Sequence, residues 1–309
     1  MLYNRTVSNY TMPAAAPAPT QRLIEGDPRS FREQFNRNPF LFRHNVADHP
    51  LFQLPRLLEF AKKVATANPR DMYYDTGDVG INQRWSDVER GGLPVDEAIR
   101  RIQDEKAWIF FKWAEKDKDY SELLDQCLAQ IQELSGVELK RVMKVREAIL
   151  FITSPNRVTT YHIDRECNFL LQIQGSKTIY VFDREDREVL TEEEIERFWS
   201  VDNNAPRYKE QYQDRATAYH LQPGDGVHIP VNAPHWLKND NNVSISLSVN
   251  FQYHDSERAD LYRINHSLRR IGLRPTPPGK SAWRDAAKRS AFSGVSRVRD
   301  ILQAFKAKS

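Results

Sequence analysis

Between residues 145 and 255 the chain divides into short strand-like runs, "EAILFITSP", "TTYHID", "NFLLQIQG", "KTIYVFD", "TAYHLQPGDGVHIP" and "VSISLSVNFQY", separated by Gly, Pro, Asn and Asp. Many short strands with turn signals between them predict an all-β sandwich or barrel. A single helix interrupts them, "TEEEIERFWS" over 191–200, with Thr191 placed to cap it. The flanks read differently. "PLFQLPRLLEFAKKVATANP" (50–69) has apolar residues at helical spacing and stops at a proline. "DYSELLDQCLAQIQELSG" (119–136) is amphipathic, acidic at its start and closed by Gly136. "PVDEAIRRIQDEKA" opens as helices do, with Pro and acidic residues in the first turn. It runs into an aromatic strand over 108–113, "WIFFKW", read as core rather than as a substrate platform. The expected organisation is a flexible segment over 1–29, a helical and mixed part over 30–144 packing on the core, a β core over 145–255 and a basic helical extension over 256–309.

With 40% apolar and 28% charged residues among 309, the chain reads as soluble and globular, with enough length for a sizeable core. No apolar run approaches the roughly 18 residues of a membrane span, and the N-terminus lacks the basic start and apolar stretch of a secretory signal. Its two cysteines, Cys127 and Cys167, make neither a disulfide framework nor a paired-cysteine zinc pattern. A cytoplasmic setting is the expectation, with both cysteines as small buried hydrophobes. The net charge of +3 hides an asymmetry: from His266 onward there are eleven Lys/Arg against two Asp, leaving residues 1–265 at about −6. Nucleic acid is therefore an unlikely partner for the body. In the tail, Trp, Ala, Phe, Val and Leu recur at helical spacing, which predicts an amphipathic helix packing on the body or on a second subunit.

The stretch "YHIDRECNFLLQIQGSKTIYVFD" (161–183) opens with His162 and Asp164, two residues apart. In a strand these face the same way, as a hydrogen-bonded pair, as a catalytic acid and base, or as two ligands of one metal. A 2-His-1-carboxylate triad needs one more histidine from His44, His49, His220, His228, His235, His254 and His266. Within "LQPGDGVHIPVNAPHWLKN" (221–239) a Gly-Asp turn feeds a strand ending in Ile-Pro, and His235 follows five residues after that proline.

This region resembles the JmjC/cupin-8 group of Fe(II)- and 2-oxoglutarate-dependent oxygenases, closest in pattern to asparaginyl hydroxylases of that group. The residues carrying the resemblance are His162-x-Asp164 followed by Asn168, then Gln172, Ile173, Gly175 and Lys177. Further on come Gly224, Asp225, Ile229 and Pro230 leading to His235, then Val249, Asn250 and Phe251. The likeness covers about 145–255 and is looser before it. It implies a mainly β protein with flanking helices, a double-stranded β-helix (cupin/JmjC jelly roll). It implies Fe(II) held by His162, Asp164 and His235, and 2-oxoglutarate as cosubstrate, anchored by Lys177 and helped by Thr159, Asn168 and Asn250, with Thr160 competing for the threonine's part. Two departures reshape the pocket wall: His228 stands where an aromatic often precedes the Ile-Pro, and Pro234 where a Trp often precedes the histidine. His228 either joins the pocket as a polar group or faces outwards.

The function implied is hydroxylation of a C–H bond coupled to decarboxylation of 2-oxoglutarate to succinate, with N-demethylation open by the same steps. The substrate, whether protein side chain, peptide or small metabolite, stays open, and so does homodimerisation through the C-terminal helices, which the resemblance suggests. The competing class is a non-oxidative metal-binding cupin acting as a sensor or regulatory module. Lys177 with its asparagines separates the two, because metal binding alone has no need of such an anchor.

Overall fold

In the computed structural model, residues 22–254 and 257–292 are described. β1 (Ile24–Glu25) precedes α1 (Pro28–Gln34), which starts on Asp27, whose carboxylate accepts the backbone N–H groups of Arg29 and Ser30. β2 (Phe40–His44), α2 (Leu54–Ala67), β3 (Met72–Asp75), α3 (Val95–Arg100) and β4 (Trp108–Phe111) follow. α4 (Lys118–Ser135) stops at Gly136, whose φ of 70° suits a residue without a Cβ, and a short α5 (Leu139–Val142) leads into the β region.

That region comprises β5 (Met143–Thr153), β6 (Val158–His162), β7 (Cys167–Gln174) and β8 (Lys177–Val181). After α6 (Glu192–Ser200) come β9 (Thr217–Leu221), β10 (Asp225–Ile229), β11 (His235–Asn239) and β12 (Ser244–Tyr253). α6 begins with a capping box in which the Thr191 hydroxyl accepts the Glu194 N–H and the Glu194 carboxylate accepts the Thr191 N–H. α7 (Glu257–Arg270) packs on α6, where the Arg269 guanidinium makes two hydrogen bonds of 2.8 and 3.0 Å to the buried Glu196 carboxylate.

The strands form two antiparallel sheets, in the orders β1-β2-β10-β7-β12-β5-β4-β3 and β6-β11-β8-β9. This is the expected cupin jelly roll with flanking helices. The front part differs from the expectation. β1 and β2 extend the larger sheet at one edge and β4 and β3 at the other, so these residues do more than pack on the core. The strands cover edges whose backbone groups would otherwise lie open. The expected flexible segment over 1–29 is likewise overtaken from Ile24 onward, where β1 pairs with β2 and α1 then begins; residues 1–21 lie outside the described residues. The tail is helical over 282–292, and its expected continuation over 293–309 also lies outside them. No helix among the described residues is long and apolar enough to cross a membrane.

Two-residue alternation sorts the central strands. On β7 and β12, Phe169, Leu171, Leu247, Val249 and Phe251 enter one apolar core with Phe31 and Phe35 of the α1 segment and Leu124, Cys127 and Ile131 of α4. Each such phenylalanine contributes about 1.5–3 kcal/mol by burial. Asn168, Leu170, Ser248 and Asn250, the alternate residues, face the interior of the roll. The aromatic run over 108–113 splits the same way: Ile109 and Phe111 are core, but Trp108 and Phe110 line the interior cavity, and Trp113 is exposed beyond the strand end. Its expected assignment to the core holds for alternate residues only.

The turn from β7 to β8 fixes where Lys177 begins its strand. Gly175 has φ +68°, and a Cβ there would lie 2.1 Å from Val243 O and 2.4 Å from Asn242 Oδ1. The Gln172 side chain donates to the carbonyls of Gln174 and Gly175, and Asn242 Oδ1 accepts the Ser176 N–H. Gly175→Ala is expected to destabilise the fold by about 1–3 kcal/mol or more, since it combines backbone strain with backbone overlap. Urea unfolding measures this, and an unchanged midpoint would show that the turn can relax.

Candidate active site

β6 and β11 pair antiparallel with His162 directly opposite His235, which brings the two imidazole centroids to 4.2 Å. Asp164 follows the end of β6. Its Oδ1 lies 3.8 Å from His162 Nε2 and its Oδ2 lies 3.7 Å from His235 Nε2. One ligand atom from each of these three side chains lies within 4.8 Å of the others, the arrangement a single cation requires.

The rings are oriented from behind. His162 Nδ1 lies 2.7 Å from the Thr160 carbonyl and His235 Nδ1 lies 3.0 Å from the Ala233 carbonyl. A carbonyl only accepts, so each Nδ1 carries the proton and each Nε2 keeps its lone pair for a metal. Burial first, and the neighbouring His162 ring second, push His235 down to about 4, so it is neutral near pH 7. Asp164 is steadied through its backbone, whose carbonyl accepts the Asn232 N–H at 3.0 Å.

The cavity behind this cluster is lined by Thr159, His162, Asp164, Asn168, Lys177, His235 and Asn250, whereas Thr160, the alternative to Thr159, is not among its lining residues. Lys177 is buried, and burial alone pushes its ammonium down to about 7; no acidic group among the described residues offsets that. A buried ammonium without a counter-ion favours an anion beside it. Asn168 and Asn250 share Ser248, whose Oγ is 2.7 Å from Asn168 Oδ1 and 3.1 Å from Asn250 Oδ1. The one Ser248 hydroxyl proton goes to the nearer acceptor, Asn168 Oδ1, and with that oxygen engaged the amide nitrogen is what Asn168 offers as a donor.

Several cavity residues escaped the sequence reading. Trp85, from a 3₁₀ turn, donates its indole N–H to Thr160 Oγ1 at 2.8 Å and sets its edge against the His162 ring. Glu147 and Glu166 also line the cavity. Burial, and secondarily the Glu166 charge, raises Glu147 to about 7; burial and then Asp164 raise Glu166, which accepts a 2.6 Å hydrogen bond from Gln252. A signal for Glu166 was present, since His162, Asp164, Glu166, Asn168 and Leu170 keep one parity and all line the cavity. Glu147 carried none, because its strand meets the site only through pairing with Asn250.

His228 is neither in the pocket nor outward-facing. Its Nε2 accepts the Asn36 N–H, its Nδ1 donates to the Asn168 carbonyl, and its ring stacks 4.4 Å from Phe169 on the far face of the larger sheet. Cys167 shares that face and is fully buried.

A family model for a cupin-like domain (Cupin_8) matches residues 34–258. No curated protein matches the chain. Among solved structures, an X-ray structure of Escherichia coli YcfD aligns with a TM-score of 0.51 at 14% identity, over 88% of this chain and 67% of that one. The Escherichia coli ribosomal oxygenase YcfD in complex with cobalt and 2-oxoglutarate aligns with a TM-score of 0.49 at 14% identity, over 89% and 67%. This chain thus spans about two thirds of the length of those proteins, and at such identity the likeness is one of fold.

Lys177 makes stability depend on pH. The unfolded chain holds this proton up to the ordinary lysine value of 10.5, whereas the folded protein releases it near 7. Between those values the unfolded state binds more protons, so Lys177 makes stability rise with pH across that window. Comparing urea unfolding of the wild type and Lys177→Met from pH 6 to 10, we expect the variant to be the more stable at pH 6, with the gap closing by pH 10. A constant gap would show that Lys177 is not buried as a charge.

Proposed function

Because this chain belongs to the cupin-like domain family, we propose that it is an Fe(II)- and 2-oxoglutarate-dependent oxygenase that hydroxylates a C–H bond of a protein side chain, a peptide or a small metabolite. The observation that carries this reading is Lys177, a buried amine with no carboxylate partner among the described residues, opening into the same cavity as His162, Asp164 and His235. A cupin that only held a metal would gain nothing from burying that charge.

The donor set suits the group. Two neutral imidazoles and one carboxylate leave a divalent iron with a net +1 charge, which favours a dianionic chelator, and the mixed N/O set is that of open-sided Fe(II) sites. When bound, Fe(II) and 2-oxoglutarate supply dioxygen activation, decarboxylation to succinate and oxidation of the substrate. The protein's own residues do the rest. His162 and His235 present Nε2 lone pairs fixed by the Thr160 and Ala233 carbonyls. Lys177 would neutralise the far carboxylate of the cosubstrate as a charge-assisted pair. Asn168 and Asn250 would supply amide N–H donors, with Thr159 as a further polar contact in the same cavity. Trp85, Trp108 and Phe110 exclude water from the space that a reacting C–H bond would share with them.

Purified protein with Fe(II), ascorbate and 2-oxoglutarate under air is expected to form succinate above the level of a His162→Ala control. Binding is tested apart from turnover by calorimetry with Mn(II) and 2-oxoglutarate. Lys177 is mostly neutral at pH 8 in the free protein, and a neighbouring dianion favours its charged form. Cosubstrate binding should therefore take up close to one proton at pH 8 and weaken as pH rises above about 7. In Lys177→Met the proton uptake should vanish and affinity should fall by about ten-fold or more. Metal binding with neither 2-oxoglutarate binding nor turnover would sink the oxygenase reading and favour a metal-binding regulator.

A further inference from the structure

A second cavity, of about 450 Å³, lies outside the roll and is walled by α6, α7 and the segment between β8 and α6. Its volume is within the range of small-ligand sites. Its lining is mostly basic: Lys144, Arg165, Arg184, Arg187, Arg258 and Arg263 stand against one lining carboxylate among its described residues, Glu185, while Glu192 and Asp260 pair with Arg187 and Arg263 from outside the lining. That carboxylate is shared by three guanidiniums, at 3.2 Å from Arg187 and 3.7 Å from each of Arg184 and Arg258. Arg165 has no carboxylate within ion-pair distance among the described residues.

Arg165 is held in place by groups that do not cancel its charge, and Arg184, which has a share of Glu185, is held by two further neutral acceptors. Arg165 donates to the Phe198 carbonyl and Asn203 Oδ1, and lies 4.9 and 5.4 Å from the ring centres of Phe198 and Trp199. Arg184 donates to the Val231 carbonyl and Asn36 Oδ1. In each, Nε is buried with no hydrogen-bond partner among the described residues. Burial works against the charge of both. Two fixed guanidiniums with donors to spare, in a cleft with excess positive charge, suit a tetrahedral dianion better than a single carboxylate. Trp199, Tyr253 and Tyr262 complete the walls with aromatic surface on which a planar ring can stack.

We propose that this cleft is a binding site for the phosphate group of a small phosphorylated ligand, held by Arg165 and Arg184. It shares a wall with the metal cavity: Gln252 lines the cleft and donates to Glu166, which lines the cavity, and Arg165 directly follows Asp164 in the chain. A ligand anchored here would lie beside the mouth of the metal site. The proposal does not rest on the oxygenase reading, since binding is measured without turnover.

The test is calorimetric titration of the full-length protein with inorganic phosphate and, separately, with AMP, at constant ionic strength set by potassium chloride. Saturable binding of both is expected, tighter for AMP, and weakened about ten-fold or more in Arg165→Gln/Arg184→Gln. Mn(II) binding should be unchanged in that variant, which separates loss of the cleft from damage to the metal site. Equal affinity for the two probes would keep the phosphate site and remove the aromatic walls from it. Should the double variant fail to fold, Lys144→Gln on β5 and Arg258→Gln on α7 are each expected to weaken binding several-fold. No saturable binding, affinity unchanged by the substitutions, or loss of binding to chloride alone, the mark of an adventitious ion only, would overturn the proposal.

Discussion

His162 and His235 face one another because β6 and β11 pair antiparallel with these two residues in register, and the rest of the site is arranged around that pair. A slip of one residue would turn either histidine to the other face of the sheet and leave Asp164 beside a single imidazole. The register is secured from the other side of β11, where β8 pairs with it residue by residue from Val181 to Lys177. The same pairing puts Lys177 opposite Asn239, four residues along β11 from His235. At roughly 3.3 Å per residue this is about 13 Å of strand, a length that a lysine side chain spans in part.

Facing this sheet, the larger one carries a polar inner surface that is expensive to bury unless it satisfies itself. It largely does. Ser248 ties Asn168 to Asn250, Ser246 donates to Gln172 Oε1, and the Gln172 amide donates to the turn that holds Gly175. Side-chain hydrogen bonds of this kind help to fix the rotamers along the row. Glu147 is the exception in the same row: its Oε1 is buried without a partner among the described residues and its carboxyl is raised to about 7. A group left so is usually held for a purpose that the bare fold does not show.

Charge is therefore laid out by region. Lys177, with no carboxylate partner among the described residues, lies within the roll on β8, Glu147 on β5 and Glu166 just before β7 line the same cavity, and a guanidinium-rich cleft lies across the wall formed by Gln252. Neighbouring regions of opposite sign allow a ligand with distinct charged parts to be oriented as well as bound.

The sequence by itself determined the strands, the caps and the site residues that follow strand periodicity. His162, Asp164 and Asn168 share one parity in one segment, and α4 and α6 carry their end signals at Gly136 and Thr191. Those features are local, so a few neighbouring residues suffice to encode them. His235 and Lys177 were legible through resemblance, because their spacing from the other residues follows a family pattern and no local periodicity. Only the tertiary structure decided that Trp85, Trp108, Phe110 and Glu147 belong to the cavity, that His228 belongs to the core behind it, and that six basic residues scattered from Lys144 to Arg263 converge on one cleft. Each of these depends on which strand lies next to which and on which helix covers which edge. Such long-range pairings are chosen by the burial of the whole chain, and no short stretch of it records them.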